Sequence, residues 1–74
     1  MKFYEIVGAR LQNARMEKNI TQDYVAKNLK ISRPMLSRIE NGEMKISLLL
    51  AISYCHLLSV QFSDLFKDID NWLS

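Results

Sequence analysis

The stretch from Thr21 to Gly42 constrains this chain more than any other, because it reads as two short helices with their ends marked. Thr21 is a good N-cap, since its side-chain oxygen can accept from the backbone N–H groups that open a helix. Asp23 follows in the first turn, where the helix dipole favours a negative charge. Val25, Ala26 and Leu29 then face one way, which gives a helix over 22–29. Lys30-Ile31-Ser32 makes a tight joint. Ser32 caps a second helix, and Pro34 sits in its first turn, where a missing N–H costs nothing. Leu36 and Ile39 face inward, and Asn41-Gly42 ends the helix near Glu40.

The rest of the chain is arranged around this pair. Val7, Leu11 and Ala14 fall on one stripe of a first helix over 4–17, with Asn19 as a left-handed cap behind it. A fourth helix is expected over 46–58, closed by Ser59-Val60. Leu48, Ala51, Cys55 and Leu58 suit its inner face, which leaves Leu49, Ile52 and His56 outward. A fifth helix begins near Gln61 and carries Leu65, Phe66, Ile69, Trp72 and Leu73. No segment reads as a strand. The expectation is an all-α, five-helix single domain over 1–74 with its core within 5–66 and its C-terminal helix over 61–73.

Seventy-four residues leave room for one small core, and 49% hydrophobic content argues against disorder. The apolar surplus is more than such a core needs, and an exposed patch of that kind marks an interface. Leu49, Ile52, Phe66, Ile69 and Trp72 are the expected contacts of a homodimer, the alternative being a fifth helix that folds back and covers the apolar surplus within one chain. Charge is divided unevenly. Residues 1–45 hold nine of the ten Lys/Arg against five acids, a net of +4, and the remainder is net −2. This fits a basic binding half and a non-binding half. The single cysteine cannot form an internal disulfide, and no signal-peptide start or membrane span is visible. A cytoplasmic protein is expected. His56 has no neighbour at ligand spacing, and there is no glycine-rich phosphate loop. Neither a metal, nor a cofactor, nor a small-molecule ligand, nor an enzyme is therefore expected.

Two short helices at this spacing fit a helix-turn-helix, whose second helix can enter a major groove about 12 Å wide, and they equally fit a helical hairpin in any small bundle. Arg33 stands at the end of that helix that docks toward base edges. Its planar fork can grip O6 and N7 of guanine together. The free N–H groups opening the preceding helix suit a phosphate, to which Gln22 can add its amide.

The pieces Thr21-Gln22, Val25-Ala26, Ile31-Ser32 and Ser37-Arg38-Ile39-Glu40-Asn41-Gly42 occur in an order and spacing that resembles the lambda repressor-like family of Cro and phage-repressor domains. The resemblance covers about residues 5–66. It implies a transcriptional regulator that binds double-stranded DNA, as a homodimer at a short palindromic operator. Simple repressors and restriction–modification controllers have this form. By position it implies that Arg33, Pro34, Ser37 and Arg38 meet bases, and that Gln22, Thr21, Asn41, Lys45 and Lys30 lie along phosphates. It also implies a structural pair between Arg15 and Glu40. Lys30 and Ser59 stand where the family often has glycine, so a left-handed backbone at Lys30 would cost roughly 1 kcal/mol. Pro34 replaces a hydrogen-bonding side chain with an apolar one. The rival reading is a protein-binding module, such as an antitoxin or antirepressor, that keeps the same fold.

Overall fold

A computed structural model describes the chain from Lys2 to Leu73, the side chains of Trp72 and Leu73 excepted. Among the described residues five α-helices and one 3-10 helix follow one another: α1 Lys2–Glu17, α2 Gln22–Leu29, α3 Arg33–Glu40, α4 Leu48–Leu58, the 3-10 helix Phe62–Phe66, and α5 Ile69–Leu73. No strand occurs among the described residues.

The caps decide where the middle helices start. Thr21 Oγ1 accepts the Tyr24 N–H at 3.1 Å, and Ser32 Oγ accepts the Met35 N–H at 3.1 Å. Each satisfies a backbone donor that has no partner inside its helix. The same device corrects the expected start of α4. Ser47 Oγ takes the Leu50 N–H at 3.1 Å, so the helix opens at Leu48 and Ile46 stays in the preceding loop. At the other end, α1 starts at Lys2 rather than Tyr4.

Left-handed residues turn the corners. Asn19, Lys30, Ser59 and Asp68 all have φ between 57° and 63°, and only the corner at Gly42 (φ 78°) uses glycine. At Lys30 the backbone N–H reaches back to the carbonyls of Ala26 and Lys27, closing α2. The left-handed corner at Asp68, preceded by extended Lys67 (φ −60°, ψ 136°), also corrects the expected fifth helix. What periodicity presents as one helix from Gln61 is a 3-10 turn and a separate short helix.

The core lies where α1, α3 and α4 meet, around Val7, Leu11, Leu36, Tyr54 and Leu58, all 1% exposed or less. α2 adds Val25 and Ala26, and the 3-10 helix adds Leu65. Gly8 lets α1 approach α3 closely: a Cβ built there would stand 2.3 Å from the Ile39 carbonyl oxygen. Leu48, expected inward, is 66% exposed, and Tyr54 takes the inner face of α4 instead. Apolar residues lie on nearly every side of α4, so its composition did not show which face turned inward. Phe66 is an expected homodimer contact. It lies half-buried within its own chain, stacked on Phe3 (6.2 Å between ring centres) and edge-on to Phe62 (4.9 Å). Ile69 is also half-buried, while Leu49 and Ile52 are exposed. The expected contact Trp72 lies outside the described side chains.

Candidate nucleic-acid interface

At 3.6 residues per turn, α3 has two faces. Leu36, Ile39 and Glu40 point into the domain and are buried. Pro34 and Arg38 point the opposite way and are exposed, as is Asn41, which caps the helix. Ser37 sits half-buried on one shoulder. Arg33 lies on the flank nearest the start of α2, its side chain 63% exposed. Lys30 projects from the joint before the helix, and Lys45 from the loop after it, both exposed. Thr21 and Gln22 open α2 beside Arg33. The residues expected to meet DNA thus surround one outward-facing helix.

Behind that face lies a buried carboxylate. Glu40, only 2% exposed, accepts from four donors on three other elements. Arg15 on α1 grips it with two bonds, Nε to Oε2 at 2.9 Å and Nη2 to Oε1 at 3.1 Å. The third Arg15 nitrogen holds the Ile20 carbonyl at 2.8 Å, which pins the chain between α1 and α2. The Gln22 amide donates to Oε1 at 3.0 Å, and the Tyr54 hydroxyl donates to Oε2 from α4. A buried charge with every lone pair engaged fixes geometry more than it adds stability. Here it fixes α3 against α1, α2 and α4 together. The bond to Glu40 also raises the Arg15 pKa, outweighing burial. Burial first, and the bond to Glu40 second, push the Tyr54 hydroxyl well above its ordinary value.

The network continues to the surface. With its amide N–H turned inward, Gln22 presents Oε1 to Arg33 Nε at 3.5 Å. Arg33 Nη1 also lies 3.5 Å from Asp23 Oδ1. One chain of contacts therefore runs from the core tyrosine to the exposed arginine.

Two of these partners were not foreseen. Tyr54 gives no signal in the sequence, because it is burial that makes a tyrosine hydroxyl need a partner, and apolar residues on nearly every side of α4 hide which face is buried. In the sequence Asp23 bears only on the helix dipole. Its pairing with Arg33 depends on how the two helices cross, which spacing does not fix.

The described residues contain no cluster of His, Cys, Asp and Glu able to hold a metal, and no helix long and apolar enough to cross a membrane. Cys55 is buried, and burial raises its thiol pKa.

A family profile described as helix-turn-helix matches residues 11–65. Two crystal structures of the clp gene regulator ClgR from Corynebacterium glutamicum resemble the chain. One has a TM-score of 0.84 at 31% identity, covering 86% of this chain and 68% of that one. The other has a TM-score of 0.86 at 28% identity, covering 97% and 94%. The restriction-modification controller protein C.AhdI from Aeromonas hydrophila aligns with a TM-score of 0.79 at 24% identity, covering 85% and 96%, a likeness of fold. No curated protein sequence matches the chain.

Proposed function

The chain belongs to the lambda repressor-like helix-turn-helix family, whose members bind DNA, and on that premise we propose that it is a homodimeric repressor or controller acting at a short palindromic operator. The observation that carries this reading is the outward stripe of α3. Pro34 and Arg38 are exposed, with Ser37 half-buried beside them, on a helix whose opposite face is locked through Glu40. In this reading α3 enters the major groove, and Arg33 and Arg38 reach base edges while Pro34 lies against a thymine methyl. Thr21, Gln22, Lys30, Asn41 and Lys45 run along the phosphates, which set register rather than sequence preference. The likeness to a clp gene regulator supports a role in gene regulation.

The second copy docks through α4. Leu49 and Ile52 share its outward face, 75% and 43% exposed, and Leu48 flanks them at 66%. With a two-fold axis across that strip, the half-sites expected of such a dimer lie about 34 Å apart. The same apolar strip would serve a different protein partner, the reading in which the fold acts as a protein-binding module.

Titration of DNA from upstream of the protein's own gene, over a range of salt, separates the two. A regulator binds it selectively, with log affinity falling by about 0.9 per log unit of salt for each phosphate neutralised. Arg33→Ala costs about 1–3 kcal/mol and blurs sequence preference. Absence of selective binding, together with a monomer by sedimentation, would reject both the operator and the dimer.

A further inference from the structure

We propose that Asp23 is a positioning residue for sequence specificity, holding the Arg33 guanidinium toward base edges and away from the DNA backbone. The proposal rests on the reading of Arg33 as a base-contacting residue.

The hold is anchored from the inside. The Gln22 amide cannot turn over without facing its carbonyl toward the buried Glu40 carboxylate and its NH2 toward the Arg33 cation. With one N–H on Glu40 at 3.0 Å, its oxygen must face Arg33 Nε, 3.5 Å away. Asp23 Oδ1 then meets Nη1 at 3.5 Å from the next position on α2. One anchored acceptor, Gln22 Oε1, and an exposed one beside it, Asp23 Oδ1, thus occupy two of the guanidinium's five N–H groups, and the remaining ones suffice for O6 and N7 of guanine. Arg33 can therefore read guanine without leaving its holders.

A phosphate is different. To reach one, Arg33 must swing off Asp23, and the Asp23 carboxylate repels the phosphate as well. The cost falls on backbone contact and spares base contact, which is the requirement for specificity. Stability is a poor explanation for the pair, because its side chains are 63% and 73% exposed and such pairs contribute little to folding.

The test uses the whole chain with a duplex that the wild type selects from a random pool and with a scrambled duplex, each titrated over a salt series. For Asp23→Asn, affinity for the scrambled duplex rises about fivefold, the size of an exposed ion pair. Its salt slope steepens by about 0.9 as Arg33 takes a phosphate. Affinity for the selected duplex does not rise, so the ratio of the two affinities falls about fivefold. Asp23→Glu keeps the wild-type ratio. In an Arg33→Ala background, Asp23→Asn leaves the ratio where Arg33→Ala put it. Any helix-stability effect of losing Asp23 acts on both duplexes alike and cancels in the ratio.

An Asp23→Asn protein with the wild-type ratio and slope overturns the role of Asp23 alone. So does an equal fall in the ratio when Arg33 is absent. A wild type that selects no sequence overturns the DNA-reading role of Arg33 and this inference together.

Discussion

The Tyr54 hydroxyl donates to the Glu40 carboxylate, joining the middle of α4 to the last turn of α3 inside the core. Both residues are 2% exposed or less. Because Arg15 and Gln22 use the same carboxylate, the orientation of the outward helix depends on one acidic side chain.

Removing that side chain strands a cation. Glu40→Ala leaves the Arg15 guanidinium buried without its partner, and breaking one side of a buried pair costs about 3–5 kcal/mol. Urea unfolding followed by circular dichroism should show a domain at or below the edge of stability at 25 °C. A loss under about 1 kcal/mol would mean that Arg15 reaches solvent when released.

Tyr54→Phe should destabilise the domain by about 1.5–3 kcal/mol at neutral pH, the range for a hydrogen bond to a charged group. The loss has a pH signature. The Tyr54 pKa is raised in the folded state above the ordinary 10.0. Its stabilisation is thus complete below pH 10 and is lost as pH rises above it. The stability gap between wild type and Tyr54→Phe should be constant through neutral pH and narrow at higher pH. A gap that widens there would reverse the sign of the linkage.

Gly8→Ala inverts the usual rule. Alanine in a helix interior normally gains about 0.5–1 kcal/mol over glycine. Here its Cβ would meet two backbone oxygens, Ile39 at 2.3 Å and Glu40 at 2.8 Å, which no side-chain rotation can relieve. Forced separation of α1 from α3 should cost about 1–3 kcal/mol, read as a lower melting temperature. A melting temperature above wild type would show that the two helices part freely.

Lys30→Gly should separate folding from binding. Lys30 sits at φ 59°, ψ 41°, where a side chain costs about 1–2 kcal/mol and glycine does not. Stability should rise by about 1 kcal/mol. Under the proposed DNA contact, affinity should fall and the salt slope should become shallower by about 0.9. An unchanged slope removes Lys30 from the phosphate contacts while leaving the stability prediction intact.

The helix-turn-helix was readable in sequence because its signals are local. Thr21, Ser32, Pro34 and Asn41-Gly42 act within a few residues of where they stand, and α2 and α3 begin and end where those residues place them. What escaped reading was long-range or ambiguous. Tyr54 and Glu40 lie on different helices, and their contact depends on how those helices cross. Leu48 and Tyr54 both sit on a helix rich in apolar residues, so hydrophobic period could not tell the covered side from the open one. The corner at Lys67 and Asp68 contains no glycine or proline, the two residues that would have marked it. Gly8 lies in the middle of α1, and only the neighbouring carbonyls reveal why its missing side chain matters.

The division of α3 into a locked side and an open side separates two kinds of inheritance. Replacements at Pro34 or Arg38 alter what the domain presents to its surroundings while Leu36, Ile39 and Glu40 keep the scaffold upright. On the proposed reading of Pro34 and Arg38, a lineage carrying this fold can therefore change its target one codon at a time, without first having to repair its architecture.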